Sequence, residues 1–173
     1  MTAIRFRLAG FALLVLPAWT ASACESGSFP LFGCEASKGR KFIELCAPSP
    51  VDEKTGYLRY RFGSLDKDGN EKAVELEFPA EDAGSFKRFY GATYTQGGMY
   101  TQSVRFVLGN FGYTVYTRAK GMQTIDAGVE VRDRKSGKTT VVSCSERPRF
   151  YIHELQGIIP CDPETPVGRA CIK

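Results

Sequence analysis

The sequence predicts an all-β protein, an antiparallel sandwich or small barrel of about eight strands stapled by disulfides. Three observations predict it. Apolar residues recur with a period of two through most of the chain, the mark of half-buried strands. Turn residues separate these runs at hairpin-like spacing. Six cysteines, an even set, follow an export signal.

The strands are read in order. Residues 31–35 and 41–46 form a first hairpin around Ser37-Lys38-Gly39. Leu58, Tyr60 and Phe62 share a face opposite Arg59 and Arg61, and Val74, Leu76 and Phe78 oppose Glu75 and Glu77. Asp66-Lys67-Asp68-Gly69-Asn70 joins these two strands. Tyr100, Gln102, Val104, Phe106 and Leu108 make a longer strand, and Phe111, Tyr113 and Val115 follow across Gly109-Asn110, residues that tolerate the positive φ of a tight hairpin turn. Val129 and Val131 oppose Glu130 and Arg132, and after Ser136-Gly137 comes Thr139-Thr140-Val141-Val142, rich in β-branched side chains. Helix is scarce: residues 85–90 and, near the C-terminus, 149–155 are the candidates for short helices.

Residues 1–23 have the three parts of a cleavable secretory signal: Arg5 and Arg7, an apolar run from Leu8 to Trp19, and the small-residue site Ala21-Ser22-Ala23. The apolar run is short of the roughly 20 residues needed to span a bilayer. One β-rich domain, residues 24–173, is expected to remain in the periplasm or outside the cell. Cleavage after Ala23 makes Cys24 the first mature residue, the place of the acylated cysteine in a bacterial lipoprotein. The membrane is therefore a partner only if Cys24 is lipidated, and the even cysteine count favours a soluble form with Cys24 in a disulfide.

Cys24, Cys34, Cys46, Cys144, Cys161 and Cys171 show no C-x-x-C spacing, and the chain has a single histidine, so bridges are expected in place of metal ligation. Cys161 and Cys171 are expected to close the C-terminal loop, and Cys144 to reach back to Cys34 or Cys46. The net charge of +4 includes Arg5 and Arg7, and the other charges are interspersed, so nothing points to nucleic acid.

No catalytic group stands out, and no cofactor or metal is expected. His153 has no H-E-x-x-H, G-x-S-x-G or S-x-x-K companion and reads as a surface histidine. Glu75 and Glu77 lie on the polar face of one strand, where Arg59 and Arg61 of the preceding strand would pair with them and leave an anion site on the Arg row as the alternative. The 66–70 segment has partial calcium-loop spacing, but the same residues make a strand-connecting turn. The segment from Tyr90 to Tyr100 is aromatic, Gly-rich and uncharged. It is expected to be a loop between strands, with Tyr94, Gln96 and Tyr100 as candidate binding residues.

The segments Phe32-Gly33-Cys34, Gly39-Arg40-Lys41-Phe42-Ile43-Glu44-Leu45-Cys46 and Leu58-Arg59-Tyr60-Arg61-Phe62-Gly63 resemble a group of small exported proteobacterial β-rich proteins. The wider layout resembles the periplasmic C-type lysozyme inhibitors, small β-barrels with an early cysteine before a Gly-Lys-like turn and a late cysteine tying the barrel shut. Cys34, Gly39-Arg40-Lys41 and Cys144 fill those places here. That family sets a Ser-Gly-x-x-Tyr loop in the lysozyme cleft. The nearest segment here, Gly97-Gly98-Met99-Tyr100, lacks the serine, so no inhibitory residue is carried over. An exported rigid β scaffold with no catalytic constellation and a Tyr/Gly-rich segment is expected to be a non-enzymatic binding protein with a protein partner, in its most concrete form an inhibitor of a lysozyme or other cell-wall hydrolase. The alternative is a structural or interaction protein of the cell envelope.

Overall fold

A computed structural model of the protein describes Cys24 and residues 27–173. The expected export signal, residues 1–23, lies outside the described residues. The strands are β1 (Ser28–Ala36), β2 (Lys41–Pro48), β3 (Arg59–Leu65), β4 (Glu71–Phe78), β5 (Phe89–Gln96), β6 (Met99–Leu108), β7 (Phe111–Lys120), β8 (Gln123–Asp133), β9 (Thr139–Ser143), β10 (Arg149–Phe150), β11 (Asp162–Thr165) and β12 (Gly168–Ala170). Two five-stranded antiparallel sheets have the orders β10-β1-β2-β3-β4 and β5-β6-β7-β8-β9, and β11-β12 is a separate hairpin. The sheets form a sandwich and not a closed barrel. The ten strands of the two sheets exceed the expected eight: β5 occupies a segment expected as loop, and β10 one expected as helix.

The period-two pattern is what packs the sandwich. Phe106 of β6 is its centre. Its ring stacks on Phe78 at 4.6 Å and on Tyr113 at 4.8 Å, and it meets Tyr60 at 4.9 Å and Phe89 at 5.5 Å. Tyr60 and Phe78 come from the first sheet and the other rings from the second, so this cluster joins the two layers. Leu31, Phe32, Ile43, Leu45, Leu58, Val104, Val115 and Val129 surround it, all essentially inaccessible. Val74 departs from the expected stripe. A register shift between Phe62 and Gly63 breaks the β3-β4 alternation, and Val74 ends 38% exposed.

The turns follow their residue types. Ser37, Lys38 and Gly39 all have positive φ between β1 and β2, and Gly109-Asn110 forms the two-residue link between β6 and β7. The two helix candidates shrink to single 3-10 turns, Ser85–Arg88 and Ile152–Leu155. Phe89 and Arg149–Phe150 are taken by sheet pairing instead, with Phe32 opposite Phe150 and Phe89 opposite Phe106.

Three disulfides staple this frame: Cys24–Cys46, Cys34–Cys144 and Cys161–Cys171. The second ties the sheets together where the chain leaves β9, and there Ala36 and Cys144 form a β-bridge. The third closes the C-terminal loop, which covers the edge of β5: Gly91 N–H donates to Pro160 O at 2.8 Å, and Thr93 N–H to Cys171 O at 3.0 Å. Gly91 is required at this join. A Cβ there would lie 2.5 Å from Ile172 and 2.8 Å from Ile159, the two side chains with which the loop plugs the core. Among the described residues no helix is long and apolar enough to cross a membrane.

Candidate functional site

The register of the second sheet decides which side chains face outward. Phe89, Gly91 and Thr93 pair with Phe106, Val104 and Gln102 on the core side. The alternate residues therefore make the outer face: Tyr90, Ala92, Tyr94 and Gln96 on β5, opposite Arg105, Ser103, Thr101 and Met99 on β6. β7 adds Thr114, Tyr116 and Arg118, and β8 adds Asp126 and Glu130.

The 90–100 segment is thus a hairpin and not a loop, because its alternation continues through β5 to a Gly97-Gly98 turn in which both residues have positive φ. The register divides the three candidate binding residues. Tyr94 lies on the outer face and is half-buried. Gln96 shares that face at the exposed hairpin end. Tyr100 pairs with Thr95 on the opposite face, 41% exposed beyond the packed core.

Around Tyr94 the outer face is a network of aromatic rings and charges. The Arg118 guanidinium sits over the Tyr116 ring, 4.1 Å from its centroid, and binds Asp126 at 3.1 Å and Glu130. Tyr116 O–H donates to Asp126 at 3.1 Å. Beside them Arg105 grips Asp162 with Nε at 2.9 and 3.0 Å from the two carboxylate oxygens and Nη2 at 2.8 Å, reaches Glu164 at 3.5 Å, and covers the Tyr90 ring. The Arg105 and Asp162 side chains are only 9% and 4% exposed. Thr101, Ser103 and Tyr116 are buried between these groups.

Burial pushes the Tyr116 hydroxyl up to about 12, with the Asp126 charge and the hydrogen bond adding to it. Burial also raises Tyr94, against the Thr101 hydrogen bond and the Arg118 charge, which lower it. Burial weakens the charged form of Arg105, but the hydrogen bonds and charge of Asp162 outweigh it and the net shift is upward. These phenols remain protonated through the neutral range and act as hydrogen-bonding and stacking groups, not as bases. Four carboxylates, Asp126, Glu130, Asp162 and Glu164, meet the Arg105 and Arg118 guanidiniums here, and the same register puts exposed Lys120 and Arg132 on this face, so the patch carries both signs of charge in equal number.

The other candidates take structural roles. β3 and β4 pair as expected, and the Arg row is occupied by carboxylates: Arg61 binds Glu71 at 3.0 Å, Glu77 at 3.4 Å and Glu44 at 3.7 Å, and Arg59 binds Asp82 and Glu77. Glu75 binds Lys41. Asp66 accepts the backbone N–H groups of Asp68 and Asn70, both at 2.9 Å, which hold its carboxyl below the usual range. It is an Asx-turn acceptor, the role a strand-connecting turn asks of it. His153 is exposed, and its Nε2 lies 3.5 Å from Glu154. Cys24, Glu44 and Cys46 come within metal-ligand distance of one another, but both sulfurs are spent in a disulfide.

Arg105, Arg118, Asp126, Glu130 and Asp162 were not singled out from sequence. For four of them the signal was strand parity, since each falls on the polar positions of an alternating run. Asp162 had none, because it reaches Arg105 across 57 residues of chain. Comparison with protein-family models, with curated proteins and with solved structures finds no match to this chain.

Proposed function

We propose that the chain is an exported, non-enzymatic binding protein whose partner is a protein, in its most concrete form an inhibitor of a lysozyme or another cell-wall hydrolase. The observation that carries this reading is the Tyr-bearing, mixed-charge outer face of the second sheet. Its side chains are locked on one another by charge-assisted hydrogen bonds, so little side-chain entropy is left to lose on docking. Both signs of charge and aromatic rings on a rigid sheet suit a protein surface. Three disulfides and the absence of a membrane-crossing helix among the described residues fit work in the periplasm or outside the cell. The test is the rate of peptidoglycan lysis by lysozyme and by periplasmic hydrolases with the mature protein added. Inhibition that Tyr94→Ala and Arg118→Glu abolish supports the reading. Lysis unaffected at saturating protein overturns it.

A further inference from the structure

A second surface of the same sheet is unfinished. β8 pairs along its whole length with β7, but β9 covers only Gly128 to Arg132 on its other side. The last bond is Cys144 N–H to Ala127 O at 2.8 Å. There the chain leaves β8 and crosses to the first sheet: Ser145 N–H donates to Glu35 O at 2.7 Å, and Arg149 and Phe150 pair with β1. The Cys34–Cys144 disulfide fixes this divergence. Residues 123–126 of β8 are thereby left with no strand on that edge among the described residues. Between that edge and the departing 144–148 segment lies a groove of about 690 Å3, within the roughly 300–1,000 Å3 of ligand sites.

The groove's chemistry is that of a strand receptor. A register shift between Arg118 and Ala119 makes Ile125 the extra residue of a bulge, and its side chain lines the groove, 50% exposed. Met122, fully exposed, stands at the mouth. Two of the sheet edges are managed differently, while the outer edge of β9 is uncharged but borders no part of this groove. β5 is capped by Pro160 and Cys171, and β4 carries Glu71, Lys72, Glu75 and Glu77. The free part of β8 offers Gln123, Thr124, Ile125 and Asp126 and about 13 Å of edge, enough for about four residues of an added strand, with Lys120, Glu146 and Arg147 on the groove's walls.

We propose that this groove receives an extended polypeptide segment of a partner protein, which adds as a strand to residues 123–126 of β8 and lays apolar side chains on Met122 and Ile125. The segment's main chain supplies the hydrogen bonds that β9 stops making after Cys144. The site is separate from Tyr94 and does not rest on the identity of the partner proposed above, although Asp126 borders both surfaces.

The test selects binders to the mature protein from a displayed library of random peptides of about six residues. The expected binders alternate apolar residues and slow amide exchange within residues 122–127. N-methylation at alternate positions of the selected peptide, which removes its edge donors, weakens binding about tenfold or more. Met122→Lys with Ile125→Lys does the same while leaving the unfolding transition in place, and Tyr94→Ala changes nothing. No binder, a binder whose footprint lies outside the groove, or affinity indifferent to N-methylation overturns the proposal.

Discussion

Tyr116 shows how individual polar groups hold the outer face in one arrangement. Its ring lies under Arg118 and its hydroxyl bonds Asp126, so ionising the phenol would place a second negative charge beside a carboxylate. The folded state favours the neutral phenol. This stabilisation is complete below the ordinary tyrosine value near 10 and is lost as pH rises through about 12. Tyr60, raised further by burial, acts in the same direction. Spectrophotometric titration should therefore show these two of the eight tyrosines ionising last and together with unfolding. Tyr116→Phe should make stability less sensitive to pH in that window. Arg105 is a sharper case, since it and Asp162 are both nearly inaccessible. Arg105→Ala leaves a buried carboxylate without its partner and should cost about 3–5 kcal/mol in chemical denaturation. Arg105→Met combined with Asp162→Leu, which removes both charges and keeps the volume apolar, should cost clearly less.

Among the elements, the C-terminal loop is the one most exposed to a single change. It docks on β5 by two main-chain bonds and by Ile159 and Ile172, and only the missing side chain of Gly91 lets those two reach the core. Gly91→Val should undock it at a cost of about 1–3 kcal/mol. The readout is faster amide exchange at positions 91 and 93 and proteolysis within residues 160–171, with the β6-β7 hairpin still protected. Elements were legible in the sequence where two signals agreed. β6, the Gly109-Asn110 turn and β7 joined clean alternation to a turn that needs positive φ, and both signals are local. β5 is illegible because Gly91, Thr93 and Thr95 give it too few apolar residues to show the period, yet register with β6 makes it a full strand. Tyr94 and Tyr100, expected in one loop, lie by parity on opposite faces of the hairpin. β10 was read as helix because its pairing with β1 depends on residues more than a hundred positions away, at Phe32 and Gly33.

At the scale of the whole molecule, the sandwich is closed by covalent ties whose value grows with the chain they span. Cys34–Cys144 spans 110 residues and Cys161–Cys171 only 10. In the loop-entropy model the first is worth about 5 kcal/mol and the second about 3 kcal/mol. Paired Cys→Ala variants should lower stability in that order, and only loss of Cys34–Cys144 should also release the 144–148 segment from β8. The cysteines' export logic was readable from their even number. The Tyr-and-charge patch was not, because it is assembled from β6, β7, β8 and the C-terminal loop by register and by one long-range ion pair. The central claim is that this patch makes the protein an inhibitor by binding. The most direct measurement titrates the mature protein into a peptidoglycan lysis assay run separately with lysozyme and with purified periplasmic hydrolases, alongside Tyr94→Ala and Arg118→Glu. The account predicts saturable inhibition of one of them, lost in both variants while their unfolding transitions stay cooperative. Full lysis by every enzyme at saturating protein, or inhibition that both variants retain, would contradict it.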